Sequence, residues 1–255
     1  MEIHHHSHTP HKKWLHYFYE FLMLFLAVLC GFFAENQREH MIEHKREKDY
    51  IKLLVEDLQT DTAIIHRELP GMKEFVKGLD TLIGETYAFL QGKGDTRMMY
   101  YNYHRYCRNH YTVLLSQRAI NQLKNSGNMR LIRDKEALVL ILDAEVGFQQ
   151  LDAETKRVIE RQESTSQFGT RIFDFGEYQK ANINPDGSTN ERQDGFLKLN
   201  YQPALNTTDN EYIKEFIARV GYYRNTLDAY IRFDLQDATS FFEKAITELK
   251  KNYRL

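Results

Sequence analysis

The chain has little that would stop a helix, cross-link a fold or attract phosphates. Its 255 residues include only four prolines and thirteen glycines, which favours long helices over many short strands. Of its two cysteines, Cys30 lies inside an apolar run and leaves Cys107 without a partner, so no disulfide framework is implied. A formal net charge of −2 supplies no positive field for phosphates, and we expect no nucleic-acid partner.

What the chain does have is enough apolar material for one core, because 42% of its residues are hydrophobic and 27% are charged. The sequence predicts an all-α protein. One N-terminal transmembrane helix continues into an antiparallel bundle of four to five helices, with long helices. We divide the chain into a His-rich flexible tail (1–13), a transmembrane helix (14–34) and a helical bundle domain (35–255).

The transmembrane prediction depends on an apolar run in which the residues from Phe21 to Ala34 carry no charge. About twenty residues at 1.5 Å each are enough to cross a hydrocarbon core of ~30 Å. Trp14, Tyr17 and Tyr19 lie at one end, where aromatic rings prefer the headgroup level. A cleaved signal peptide is the alternative, but the residues after Phe33 lack a small-x-small cleavage site and continue as helix-forming sequence.

The orientation of the segment follows from the basic residues that flank it. Lys12 and Lys13 precede it without neighbouring acids, whereas Arg38 follows it between Glu35 and Glu39. The positive-inside rule gives weight to the basic residues closest to the membrane. We therefore predict a single-pass protein of the bacterial inner membrane with its C-terminal domain in the periplasm, although a plain count of the more distant basic residues favours the opposite orientation.

Glu20 is the one acidic residue in the predicted membrane segment. A carboxylate in the membrane costs up to a few kcal/mol, and less near an interface. One hypothesis is an ion-coupled or helix-contact site. The alternative is a carboxyl group that reaches the interface or is protonated.

Helical sequence continues beyond the membrane as a polar stalk (35–50) and then an apolar stripe with heptad-like spacing. The members of this stripe are Ile51, Leu54, Leu58, Ile65 and Leu69. Pro70 and Gly71 then predict the end of that helix, and a second helix follows that ends near Gly92 and Gly94. So short a turn predicts an antiparallel neighbour.

The second half of the bundle is marked by its capping residues. Gly127 has the position of a helix C-terminus, and Asp134 suits the N-cap of a helix over residues 135–167. An irregular loop is predicted at about residues 170–209, where glycine, asparagine and proline dominate. The last helix begins near Asp209 and continues to the C-terminus, with an apolar stripe typical of a core or coiled-coil seam.

Two segments carry a family resemblance. The stretch YFYEFLMLFLAVLCGFFAENQREHMIEHKREKDYIKLLVEDLQTD (17–61) and the turn LKNSGNMRLI (123–132) resemble a bacterial family of single-pass membrane proteins known as a domain of unknown function and common in Bacteroidota. A tryptophan that such proteins often place soon after the membrane segment is absent. The resemblance implies a membrane-anchored helical protein and supplies no catalytic residues.

A metal-site motif lies in the stalk, where His40, Glu43 and His44 match H-x-x-E-H. Two histidines at this spacing can ligate zinc while the glutamate acts as a base. The alternative is a solvated helix face, because a juxtamembrane stalk offers neither a third ligand nor a walled cavity. The histidines of residues 1–13 pose the same question, between metal capture and a flexible tail.

The aromatic tract from Met98 to Tyr111 alternates tyrosine with arginine and histidine. Tyr101, His104, Arg105 and Arg108 are the candidate residues if a ligand pocket exists here. The alternative is packing of amphipathic rings on a helix face.

From these observations we predict a membrane-anchored helical scaffold, sensor or assembly protein without catalytic activity or a cofactor. Its expected partners are the membrane and either other proteins or a second copy of itself. Two hypotheses stay open beside it: a metal-dependent hydrolase that uses the H-x-x-E-H motif, and a component of an ion-coupled membrane complex that uses Glu20.

Overall fold

The computed structural model describes residues 14–183, 187–188 and 194–255. Within these ranges the regular elements are helices, and an isolated β-bridge joins Phe173 and Leu205. The predicted all-α class with long helices is confirmed. The α-helices are α1 (Trp14–Leu90), α2 (Thr96–Asn102), α3 (Arg118–Asn125), α4 (Lys135–Gly169), α5 (Phe175–Asn182), α6 (Asn210–Ala229) and α7 (Leu235–Tyr253).

The chain forms two compact units, Met1–Tyr50 and Ile51–Leu255. The described part of the first unit belongs entirely to α1, and its side chains are mostly exposed. The second unit contains the core, whose largest fully buried side chains include Tyr100, Tyr103, Tyr223, Tyr230 and Phe216. Rings of this size bury 150–250 Å² each and dominate core packing.

The predicted helix end at Pro70 is wrong, because α1 continues through Pro70 to Leu90. Proline lacks an N–H and so leaves the carbonyl of His66 without its helical donor, but the helix is held on both sides by packing in the second unit. Gly71 serves a different purpose from a helix stop: a Cβ there would lie 2.6 Å from the hydroxyl oxygen of Tyr111. The glycine therefore lets the Tyr111 ring approach the helix backbone.

The segment after α1 returns along it in the antiparallel direction. This segment comprises α2, a π-helix (Tyr103–Cys107), an extended stretch and the start of α3. Its register is recorded by hydrogen bonds from Asp95 to Glu85, from Tyr106 to Glu74, from Tyr111 to Glu68, from Ser116 to Asp61 and from Ala119 to Asp57. As the residue number rises on one side it falls on the other, which is the signature of an antiparallel neighbour.

The helices α4, α6 and α7 form the rest of the bundle. A π-helix (Tyr230–Asp234) joins α6 to α7 without a loop. Contacts between α4 and this long C-terminal helix run in opposite order, from Phe148 with Phe242, through Thr155 with Tyr230, to Phe168 with Tyr212. The two are therefore antiparallel, as the sequence predicted.

Aspartates cap α4 and α6; the sequence predicted Asp134 as an N-cap and Asp209 as the approximate start of the last helix. Asp134 accepts hydrogen bonds from the backbone N–H groups of Glu136 and Ala137, and Asp209 accepts from those of Glu211 and Tyr212. Gly127 adopts φ of +66° after α3, a conformation that favours glycine. Within the predicted irregular loop at 170–209, the described residues form α5 and a 3₁₀ turn (Asp194–Lys198).

Candidate functional site

The most unusual surface is the first part of α1. Between Trp14 and Phe33, fourteen large apolar side chains are exposed, among them Leu24 at 69% and Phe32 at 75%. An 18-residue window has a mean hydropathy of 1.9, and none of it is buried within the chain. By length and composition this is one N-terminal apolar helix that could cross a membrane, as an anchor or as a signal sequence.

Glu20 has a partner on its own helix. His16 lies one turn earlier, and its Nε2 is 3.1 Å from Oε1 of Glu20. The two groups can hold one proton between them, so the acid need not be carried in the membrane as an isolated charge. Residues four apart lie on the same face of a helix, so the sequence could have indicated this pair, but the prediction considered Glu20 alone.

The H-x-x-E-H motif is not arranged as a metal site. His40 and His44 lie on one helix, where Nδ1 of His40 is 4.0 Å from Glu43 and Nδ1 of His44 is 3.1 Å from Glu47. In the part of the chain that the structure describes, no group of three or more His, Cys, Asp or Glu side chains could hold a metal ion. A catalytic zinc site needs three protein ligands, and the described residues supply none beyond the motif. The histidines of residues 1–13 lie outside the described residues.

The four residues proposed for a ligand pocket in the aromatic tract point to different surroundings. Arg105 lies at the surface, where its Nη2 is 3.2 Å from Glu74. Arg108 lies near the Tyr178 ring, at 5.9 Å from its centroid. Tyr101 is half-buried, and its ring packs edge-on against Tyr106. Only His104 lies deep in the core, so the tract packs as a helix face.

His104 is enclosed by aromatic rings and is 3% exposed. The rings within 6.3 Å of it belong to Tyr100, Tyr103, Tyr178 and Phe196. Burial, and to a smaller extent the charge of Arg108, lowers the pKa of His104 to about 3. Nδ1 lies 3.4 Å from Nη1 of Arg108, and because guanidinium only donates, Nδ1 accepts and the proton is on Nε2. His104 is therefore a neutral core residue at physiological pH.

Two buried aspartates on α1 form a site that the sequence reasoning missed. Asp57 is 1% exposed and Asp61 is fully buried. Asp61 Oδ1 accepts the backbone N–H of Ser116 at 2.7 Å, and Asp57 Oδ2 accepts that of Ala119 at 3.0 Å. The guanidinium of Arg118 donates to Asp57 Oδ1 at 2.5 Å. Since Gln117 makes no side-chain cap, Asp57 caps the first turn of α3 in its place, and Asp61 holds the backbone just before that helix.

Asp61 is the less satisfied of the two carboxylates. Its Oδ2 is buried and has no hydrogen-bond partner among the described residues. Burial raises the pKa of Asp61 to about 6, with a further contribution from the charge of Asp57, against the opposing effects of the Ser116 N–H and Arg118. The signal in the sequence was the apolar stripe itself, because an acid occupies the core position between Leu58 and Ile65.

Comparisons of this chain with protein-family models, with curated proteins and with solved structures found no match. The resemblance of residues 17–61 and 123–132 to a family of single-pass bacterial membrane proteins thus stays a prediction. The exposed apolar part of α1 is the feature of this chain that bears most directly on function.

Proposed function

We propose that this chain is a single-pass membrane protein of the bacterial inner membrane, whose helical domain faces the periplasm and acts as a non-enzymatic scaffold, sensor or assembly partner. The observation that carries the proposal is the unburied apolar helix at its N-terminus. The family resemblance agrees with the same architecture.

The size of the exposed apolar surface supports lipid rather than water as the surroundings of this part of α1. Removing a large apolar side chain from water is worth roughly 1.5–3 kcal/mol, so the fourteen side chains between Trp14 and Phe33 together represent on the order of 20–40 kcal/mol. A whole domain is typically stable by only about 5–15 kcal/mol. Lipid is the partner that covers a helix on every side, and the length of the segment fits a bilayer.

The proposal that the domain acts without catalysis follows from what the polar residues of the second unit do. Asp57 caps α3, Asp61 holds the backbone just before it, and His104 packs in the aromatic core. The metal-dependent hydrolase is not proposed, because the described residues offer no third ligand to His40 and His44.

The anchor is tested with the full chain expressed in a bacterium and fused after Leu255 to alkaline phosphatase, which works only outside the cytoplasm. We expect an active fusion that stays in the membrane after carbonate extraction and keeps its N-terminus by mass spectrometry. The variant Leu24→Lys/Leu29→Lys places two charges in the segment at ~2.5–3.5 kcal/mol each, and we expect it to leave the membrane.

The matched control is Asn36→Lys/Gln37→Lys, which adds the same charges just outside the segment and should be retained. A cleaved N-terminus would show that the segment is a signal sequence and not an anchor. An inactive phosphatase fusion together with a fluorescent cytoplasmic fusion would reverse the orientation.

A second candidate function, a component of an ion-coupled membrane complex, is favoured by the His16 and Glu20 pair. A protonated carboxyl group in an apolar setting reacts with a hydrophobic carbodiimide, so we expect labelling of the protein in native membranes. The variant Glu20→Gln should abolish the label and Glu39→Gln should keep it. An unlabelled wild-type protein would contradict this candidate and leave the anchor unaffected.

A further inference from the structure

A groove runs along the surface of the second unit between α4 and α7. Its deeper end encloses about 320 Å³, and its shallower end continues toward the start of α4 through the shared residue Asp143. We call this surface the α4–α7 groove. The residues that define it are Lys135, Glu136, Val139, Asp143, Val146, Gly147, Gln150, Asp234, Asp237, Phe241, Lys244 and Glu248.

The deeper end of the α4–α7 groove carries three acids and no basic residue. Asp143, Asp234 and Asp237 line it, and none of them has a Lys, Arg or His within 4.0 Å among the described residues. Burial raises the pKa of Asp234, and the charges of Glu154 and Asp237 add to the effect against that of Arg157. Arg157 offsets part of this repulsion but does not line the deeper end, where the three acids leave an excess of negative charge. A cationic partner would complement this charge.

The α4–α7 groove also offers apolar surface. Val139 is 56% exposed and Val146 is 52% exposed, and both lie on the side of α4 that lines the groove. Phe241 lies opposite them on α7. A peptide that fits this surface therefore needs an apolar stripe as well as positive charge.

Gly147 leaves the backbone of α4 open in the groove. A Cβ there would meet no atom within 4 Å, so the packing of this chain gives no reason for a glycine. Glycine inside a helix costs ~1 kcal/mol relative to alanine. Gly84 and Gly221 are equally open, but Gly147 lines the groove, where the missing side chain allows another backbone to approach closely.

The length of the groove sets the kind of segment that fits. From Lys135 to Leu151 the groove follows α4 over seventeen residues, a length of about 24 Å at a rise of 1.5 Å from each residue to the next. An amphipathic helix of four to five turns has this length and supplies an apolar stripe beside charged positions. The acids exclude an anionic lipid surface as the occupant, since like charges repel.

We propose that the α4–α7 groove binds an amphipathic helix of a partner protein, with its apolar stripe on Val139, Val146 and Phe241 and its lysines or arginines against Asp234 and Asp237. This inference rests on the proposed function as an assembly partner and names the chemistry of what it assembles with. The shallower end combines Lys135 and Lys244 with Glu136 and Glu248, whereas the deeper end has acids alone, so the basic residues of the helix belong at the end near Asp234.

The test uses the full chain in nanodiscs of zwitterionic lipid and a fluorescent sixteen-residue helical peptide with a leucine stripe flanked by lysines. Empty nanodiscs correct for peptide that binds lipid. We expect saturable binding that weakens at least tenfold in Asp234→Asn/Asp237→Asn and in Gly147→Leu, which fills the groove. A peptide with glutamate in place of lysine should not bind.

Matched controls separate the groove from general acidity and from helix stabilisation. Asp152→Asn/Glu160→Gln removes two exposed charges elsewhere on α4, and Gly221→Leu makes the same exchange on α6, where a Cβ also meets nothing within 4 Å. Both should bind the peptide like the wild type. Equal binding by every variant, or no binding to the wild type, would overturn the proposal.

Sedimentation of the wild type in detergent tests whether a second copy of this chain occupies the groove instead. A dimer that Gly147→Leu dissociates would assign the groove to a second copy and overturn the partner helix. The anchor is measured independently: failed peptide binding with intact membrane retention removes this inference alone, whereas loss of membrane retention removes the proposed anchor.

Discussion

Replacing Asp61 by asparagine should change how the stability of the helical unit depends on pH. The pKa of Asp61 is raised to about 6 in the folded protein, against about 3.9 for an unperturbed aspartate. Between these values the folded state binds a proton that the unfolded state does not, so stability falls as pH rises. The penalty is complete above pH 6 and is absent below about pH 4.

The magnitude follows from the shift at 1.36 kcal/mol per pKa unit. The full penalty is on the order of 3 kcal/mol, of which about 2 kcal/mol is relieved between pH 7.5 and pH 4.5. The amide that replaces the Asp61 carboxyl group carries no such penalty, but its N–H₂ takes the place of a buried oxygen without a partner, which costs about 1–3 kcal/mol at any pH. We therefore expect Asp61→Asn to equal or exceed the wild type at pH 7.5 and to fall below it at pH 4.5.

Thermal unfolding of the full chain in non-ionic detergent, followed by far-ultraviolet circular dichroism, measures this difference. For a unit of this size 1 kcal/mol shifts the midpoint by about 2–4 °C, so the midpoint of the variant relative to the wild type should drop by about 4–8 °C between the two pH values. Lys156→Gln at the exposed surface of α4 serves as the control. Parallel curves for the wild type and Asp61→Asn would refute the assignment of the pKa shift to Asp61.

Three further changes test other parts of the fold by the same measurement. His104→Phe should protect against acid, because a pKa lowered to about 3 means that stability is lost as pH falls below about 6.5, by roughly 2–3 kcal/mol at pH 4.5; an unchanged acid limb would contradict its burial as a neutral ring. Gly78→Ala should lower the midpoint, since its Cβ would lie 2.1 Å from the Tyr106 ring. Gly84→Ala, whose Cβ meets nothing within 4 Å, should raise the free energy of unfolding by up to ~1 kcal/mol and the midpoint with it. Asp134→Ala removes the cap of α4 and should cost about 1 kcal/mol, and Asp134→Asn should restore most of it.

Local chemistry made much of the fold predictable. The N-caps of α4 and α6 were visible as aspartates before apolar stripes, and Gly127 was visible as a residue that tolerates positive φ. Each of these signals acts through groups within three or four residues. These caps and turns mark where each long helix begins or ends, and short connections between the helices then set their antiparallel direction.

Pro70 and Gly71 show where local reasoning stops. A proline followed by glycine predicts a helix end from backbone geometry alone, yet the helix continues because the residues on both sides pack in the core. The reason for Gly71 lies forty residues away, in the ring of Tyr111. Contacts at this separation leave no pattern near the glycine itself.

The aromatic tract shows the same limit for sites. Its composition suits a ligand pocket, but which rings face inward depends on the π-helix at Tyr103–Cys107, which turns His104 into the core and leaves Arg105 at the surface. A single extra residue in a helical turn has no reliable sequence signal. Asp61 is the reverse case: its position in an apolar stripe is visible in the sequence, but we did not predict a buried site there.

The buried polar groups and the exposed apolar ones lead to one argument about function. Asp57, Asp61 and His104 are enclosed, and their contacts hold α3 and the aromatic core in place. The apolar side chains of the first unit and of the α4–α7 groove are instead exposed at a cost that the isolated chain does not recover. The proposed anchor in lipid and the proposed partner helix would each cover one of these two exposed apolar surfaces.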